Sequence, residues 1–476
     1  MGLSSLEIGK RALLAQKFGL DATSNNIANV NTPGYSRRNA RLSETDPHKT
    51  GGHFMGTGVI ADAMRGFRQE FYDREIRLNQ SRLSGYEADT EILTKLESIL
   101  AEPSELGLNN VVNEFLQSFN DLSSKPEDIG YREHTIELAK TMAERFNITS
   151  RQISQTRDDV LADLKVRVDN ANALIKKIAG LNDNISRISA SSNKAQTYID
   201  ERALALEELS KLGNVTISEE KDGSLNVHME GINIVSGKNH SELSIMESVD
   251  SGTGEKSIQL AASATNGEVI LNPMHGELKS LLKHYNVTLD GLDSSGEYSV
   301  ATKINDLAAA LANEVNAIIS TGYGLDDTGA VPPGRNFFEP ALGNITAENI
   351  SVSDDVLLSA RDLPLASVTG EPGNNDIARQ IAAIISDTGF LNNETPAGYY
   401  TNMVGKIGKM KADAESGVKT MGLVSGQLES QRESIMGVNL DEEAVNLIKF
   451  QKAFEASSRV VNITNEILGT IVNLGR

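Results

Sequence analysis

The chain has 476 residues with no cysteine, no tryptophan and only 5% aromatic residues, and its formal net charge is −20. Disulfides and thiolate metal sites are excluded, and there is no basic stretch to neutralise nucleic-acid phosphates. A core with so few aromatic residues must be filled mainly by Leu, Ile, Val and Ala, which suits seams between packed helices. The first thirty residues lack a charged segment followed by an apolar core, so no cleaved signal peptide is expected. No run approaches the ~18 apolar residues of a membrane span, so no membrane insertion is expected.

Residues 1–31 predict an amphipathic helix. Leu6, Leu13, Leu20 and Ile27 recur at seven-residue intervals, the spacing of a coiled-coil seam rather than of a broad helical face. Small or polar residues (Gly9, Gln16, Thr23) lie between them. The helix ends at Asn31-Thr32-Pro33-Gly34, because proline disfavours helical backbone at the preceding residue and has no N–H to donate. Residues 39–65 are glycine-rich and loop-like, with a short strand expected over Val59–Met64.

From 66 to 212 the pattern is almost wholly helical. One helix is expected over about Phe67–Leu100, stopping before Glu102-Pro103-Ser104, and a second over about Leu108–Leu122, stopping near Pro126. A very long third helix starts after Asp128. Ala171, Ile178 and Ile185 form one of its heptad rows, and Leu174, Leu181 and Ile188 the adjacent one. Ser191-Ser192-Asn193 is the expected break before a helix over about Ala195–Leu212.

Beyond Gly213 the apolar residues fall in short runs near period two, among them Val215, Ile217, Leu225, Val227, Met229, Ile232 and Ile234. Asp222-Gly223, Gly231, Gly237 and Gly252-Thr253-Gly254 separate the runs. This is the signature of a small antiparallel β domain. Helix returns over about Gly276–Tyr285, Ala301–Ser320, Asp376–Asp387 and Tyr399–Glu433, with a strand expected near Asn349–Ser353. Asn439 is placed to cap the last helix. That helix carries Leu440, Leu447, Phe454, Val461 and Leu468, again at sevens.

The expected fold is therefore mainly α with a β insert. Residues 1–40 with 436–476 make a terminal coiled-coil layer of heptad helices. Residues 41–212 with 276–325 and 373–435 make a long-helix bundle, 213–275 the small antiparallel β domain, and 326–372 an irregular or small β element. A subunit with seam-forming helices at both chain ends is built to polymerise. No enzymatic motif stands out: His48 and His53 are five apart in a glycine-rich loop, no H-E-x-x-H exists, and Gly252–Ser257 lacks the glycine before lysine of a phosphate loop. No catalytic, cofactor or metal site is expected.

Ser24-Asn25-Asn26-Ile27-Ala28-Asn29-Val30-Asn31-Thr32-Pro33-Gly34-Tyr35 resembles the N-terminal signature of the flagellar rod, hook and hook-associated axial proteins. Ser36-Arg37-Arg38, Gly437–Ala444 and Phe450–Arg459 are similar to the branch found where hook meets filament. The amides of Asn26 and Asn29 lie three residues apart on the helix surface and suit a register-fixing role between packed helices. The resemblance implies a self-assembling structural subunit of the hook–filament junction that forms a ring or helical homo-oligomer. Its other partners would be the hook protein, a second junction protein and a cytoplasmic export chaperone on the C-terminal helix. It also implies extracellular placement through the flagellar type III apparatus. A hook or rod protein, or a coiled-coil scaffold, is the alternative; the scaffold explains the heptads but not the Asn-Pro-Gly motif.

Overall fold

The computed structural model describes residues 2–50, 53–100, 107–188, 193–249, 256–264, 267–290, 298–340 and 343–474. The expected turns at Glu102-Pro103-Ser104, Ser191-Ser192 and Gly252-Thr253-Gly254 lie outside those residues. The chain opens with α1 (Gly2–Ala28), followed by an antiparallel hairpin of β1 (Arg38–Glu44) and β4 (Val59–Gly66). A small second hairpin, β2 (His48–Thr50) and β3 (His53–Met55), is inserted between them. The helices α2 (Glu70–Leu100), α3 (Leu108–Ser124), α4 (Ile129–Ser186) and α5 (Asn193–Leu212) follow.

The 58 residues of α4 span about 87 Å at 1.5 Å per residue. Asp128 caps it, its carboxylate accepting from the N–H groups of Gly130 and Tyr131. Along its second half Val160, Leu164, Val168, Ala171, Ile175, Ile178, Asn182 and Ile185 are buried at steps of three and four, with Ala179 and Leu181 buried beside them. That spacing keeps one stripe facing the bundle for the whole length of the rod.

Two antiparallel meanders come next. The first orders β5 (Val215–Glu219), β6 (Leu225–Met229), β7 (Ile232–Ser236) and β8 (Asn239–His240) in sequence. The second joins β9 (Leu243–Val249), β10 (Lys256–Ala264) and β11 (Gly267–Leu271), with β10 central. Helix α6 (Glu277–Lys283) runs into a π turn over His284–Thr288, and α7 (Val300–Ile319) follows. A two-stranded pair, β12 (Phe338–Pro340) and β13 (Ile350–Val352), precedes the short helices α8 (Asp354–Leu357) and α9 (Asp376–Ala383). The chain closes with α10 (Pro396–Met436) and α11 (Leu440–Leu474). Helix α10 returns along α2, and α11 returns along α1.

The β meanders pack against the helices. Val215, Val227, Met229, Val235, Leu243, Ile258 and Leu260 share one continuous core with Val168, Ile175 and Ile178 of α4. Asparagines seal the contact by pairing with strand backbone as a neighbouring strand would. Asn182 donates to the carbonyls of Leu225 and Gly237, both at 2.8 Å, and accepts from Leu225 N–H and Arg202. Asn172 both donates to and accepts from the backbone of Leu243. The few aromatic side chains are concentrated: Phe115, Phe119, Phe337 and Phe338 pack ring against ring where α3 meets β12. Beside them Arg132 is buried with only carbonyl acceptors, from Pro126, Ala360 and Leu363. Burial and the charge of Arg361 push its pKa down to about 10.

Candidate functional site: the clasp between the chain ends

The motif residues sit where α1 gives way to β1, against the first turn of α11. Asn26 is 1% exposed and uses its whole hydrogen-bonding capacity. Its Nδ2 donates to the carbonyl of Arg38 at 2.8 Å and to Glu443 Oε2 at 3.1 Å. Its Oδ1 accepts from the Arg38 N–H and from the Tyr35 hydroxyl, both at 2.9 Å. A buried primary amide offers two donors and two lone pairs, so aspartate or leucine at this place would leave neighbours unpaired. One side chain thereby ties three elements together: α1, β1 and α11.

The other motif asparagines act locally. Asn29 Nδ2 donates to the Asn25 carbonyl and Asn25 Nδ2 to that of Asp21, each at 2.9 Å, which satisfies the last turns of α1. Thr32 donates its hydroxyl to Asn29 Oδ1. Ser24, Ala28, Asn31, Thr32 and Pro33 are exposed, and Ile27 is half-buried. Gly34 has φ +75°, and a Cβ there would fall 2.4 Å from Leu204 of α5; both the left-handed backbone and the close approach require glycine.

The residues just after the motif complete the clasp. Arg37 spans Glu442 and Glu443 at the start of α11, each at 2.8 Å, and its N–H donates to the Met436 carbonyl. Glu443 is 2% exposed, so it is a buried charge held by a guanidinium and an amide. Three acidic residues in the first turn, Asp441, Glu442 and Glu443, also suit the positive end of the helix dipole. Asn439 caps α11 through the N–H groups of Asp441 and Glu442. On the opposite side, Asp200 of α5 accepts from Ser36 at 2.7 Å and from Arg38 at 3.3 Å. Arg38 also lies 4.8 Å from the centre of the Tyr35 ring. Burial pushes the Asp200 carboxyl above the usual range, against the pull of Ser36, Arg68 and Arg38. Burial likewise raises the Tyr35 hydroxyl.

Helices α1 and α11 approach closely through small residues. A Cβ at Gly9 would fall 2.6 Å from Val461, and one at Gly19 would fall 2.6 Å from Phe450. The other face of α1 packs on the hairpin, where Ala22, Ala40 and Met64 cluster with Phe18. The Leu6, Leu13, Leu20 and Ile27 row flanks these contacts and is half-buried. Leu447, Phe454, Val461 and Leu468 are also half-buried, while Leu440 is 51% exposed.

A second apolar row on α11 is largely exposed among the described residues. Val445, Ile448, Val460, Ile463, Ile467 and Ile471 are 50–64% exposed, and so is Leu14 of α1 at 58%. Sequence reasoning followed the rows at sevens and passed over this one, although the steps of three and four from Val460 to Ile471 were readable. It also missed Glu443 and Asp200, because nothing local marks a carboxylate that will meet a residue hundreds of positions away. Among the described residues no helix is long and apolar enough to cross a membrane, and no group of three or more His, Asp and Glu could hold a metal ion.

Comparison with known proteins finds matches at both chain ends and in the middle. Residues 93–338 match the model of the flagellar hook-associated protein FlgK helical domain. Residues 6–35 match that of the flagella basal body rod protein, and residues 429–474 that of the flagellar basal body rod FlgEFG protein C-terminal region. The chain is 26% identical over 502 residues to flagellar hook-associated protein 1 of Bacillus subtilis, covering 98% of this chain and 97% of that one. It is 24% identical over 541 residues to flagellar hook-associated protein 1 of Escherichia coli, covering 97% and 98%. The solved structure of the flagellar hook junction protein FlgK from Burkholderia pseudomallei shares the fold at a TM-score of 0.62 and 14% identity, covering 76% of this chain and 100% of that one.

Proposed function

The chain belongs to the family of flagellar hook-associated proteins that carry the FlgK helical domain, and from that premise we propose that it is a structural subunit built into the junction between the hook and the filament of the bacterial flagellum. The observation that carries this reading is the pairing of the chain ends. The clasp of Asn26, Arg37 and Glu443 holds α1 and α11 in one register, and the pair presents a row of β-branched residues to solvent. Exposed rows of this length mark surfaces that other chains cover. Covering a large apolar side chain contributes roughly 1.5–3 kcal/mol, so a few of them hold a subunit in place.

In this reading the ends, residues 1–40 with 436–476, form the layer through which copies contact one another and the hook. Residues 41–212 with 276–325 and 373–435 form the rod layer, with 213–275 and 326–372 fastened to it. Before assembly the exposed row of α11 calls for a cover, which is the role given to an export chaperone on the C-terminal helix. Export through the flagellar type III apparatus and contact with a second junction protein complete the proposal.

The test is assembly on isolated hooks that lack filament. Purified protein is added and the hook ends are imaged. The wild-type chain is expected to cap them; a chain lacking residues 440–476 is not. Capping by the truncated chain would remove α11 from the contact. Tubes formed by the full chain alone, without hook ends, would favour a hook or rod subunit instead.

A further inference from the structure

Away from the clasp, α2, α6 and α10 enclose a half-open cleft of about 380 Å³. Its walls are set by close backbone approaches. A Cβ at Gly276, which has φ +92°, would fall 2.5 Å from the Leu212 carbonyl, and one at Gly85 would fall 3.3 Å from Gly276. The Tyr86 ring lies against α10 at Gly417, where a Cβ would come within 2.6 Å of it. The floor is polar and buried. Asp89 accepts from Ser280 and is bonded to the His284 ring, and both Ser280 and His284 are at most 3% exposed.

The rim is cationic. Arg82 from α2, Lys279 and Lys283 from α6, and His275 line the opening. Among the described residues no carboxylate comes within ion-pair distance of Arg82, Lys279 or Lys283. Asp89 is the one acid in the lining; it is engaged by Ser280 and His284 and also feels the charge of Lys283. The chain as a whole carries 65 acidic against 45 basic residues, so three cations around one cavity, none within ion-pair distance of a carboxylate among the described residues, run against its composition. Like charges held together in one lining repel one another. Burial first, then the charges of Arg82 and Lys279, hold the His275 imidazole below its usual pKa, against the opposing charge of Glu230.

We propose that this cleft between α2, α6 and α10 is a binding site for an acidic peptide segment, its carboxylates received by Arg82, Lys279 and Lys283 and its backbone laid along Tyr86 and Met421. The inference goes beyond the junction reading and is tested on the soluble chain, so either can fail without the other. Rim cations of this kind give salt-sensitive pairs, each of modest strength. The Tyr86 ring and Met421 beside the cations favour a peptide over a bare anion.

The probe is an end-blocked tetraglutamate peptide, titrated calorimetrically into the full chain. Saturable one-to-one binding that weakens as salt rises is expected, with the His275 titration midpoint, read by NMR, moving upward on saturation. Replacing the rim with Arg82→Ala, Lys279→Ala and Lys283→Ala together should weaken binding by about tenfold, and Lys279→Ala or Lys283→Ala alone should weaken it partly. Replacing the exposed α4 residues Lys165, Lys176 and Lys177 with alanine should leave it unchanged. Equal loss in that control, no loss in the rim variants, or binding of inorganic phosphate as tight as that of the peptide would each overturn the proposal.

Discussion

At the scale of single residues, the clasp depends on side chains whose whole hydrogen-bonding capacity is spent. Asn26→Ala leaves the Tyr35 hydroxyl, the Arg38 backbone groups and one Glu443 oxygen without their amide partner. An orphaned buried polar group costs roughly 1–3 kcal/mol, so the loss is expected to be local and large. Hydrogen exchange should accelerate at Arg38 and across α1 while the amides of α4 keep their protection; unchanged exchange at Arg38 would refute the role. A second residue-scale case is Asp327, which Arg335 grips with two bonds of 2.6 and 3.0 Å. That hydrogen-bonded pairing holds the Asp327 carboxyl below its usual value although partial burial opposes it. A lowered folded pKa means the stabilisation is full above the unfolded value, near pH 4, and is lost as pH falls through the folded value. Asp327→Asn should therefore lower stability at neutral pH and flatten its dependence on pH below about 4, as followed by thermal unfolding across pH.

At the scale of elements, close approach and shared core decide the outcome. Gly19→Leu would drive a side chain into Phe450 and should separate α1 from α11 while the rod stays folded. Loss of exchange protection confined to those two helices is the expected signature. The β meanders make the opposite case. Replacing 213–275 with a short linker removes the partners of Asn172 and Asn182 and uncovers Ile175 and Ile178. Buried polar groups and core aliphatics lose their cover together, so the denaturation midpoint of the rod should fall sharply. An unchanged midpoint would show the meanders to be a separable decoration.

At the scale of the whole molecule, α4 sets a minimum length. A globule of 476 residues would have a radius of gyration of about 23 Å, whereas one helix here already spans about 87 Å. Small-angle scattering should give a maximum dimension beyond that length and a radius well above the globular value. The exposed row of α11 belongs to this scale too. Ile463→Asp with Ile467→Asp should leave circular dichroism of the isolated chain unchanged and abolish capping of hook ends. Capping at wild-type levels would place the contact elsewhere.

The helices were legible in the sequence because their information is local and periodic. Asp128, Asn439, the proline breaks and the steps of three and four within α4 each act over a turn or two of backbone, and the terminal motif is a contiguous string. Tertiary structure alone decided what those elements meet. Nothing near Glu443 or Asp200 marks them as partners of Arg37 and Arg38, because ion pairs across 406 and 162 positions are selected by packing and not by spacing. The same holds for the apolar rows of α1 and α11. Periodicity states that a helix has apolar stripes, but only the pairing through Gly9 and Gly19 determines which stripe is covered within the chain and which is left for a neighbour.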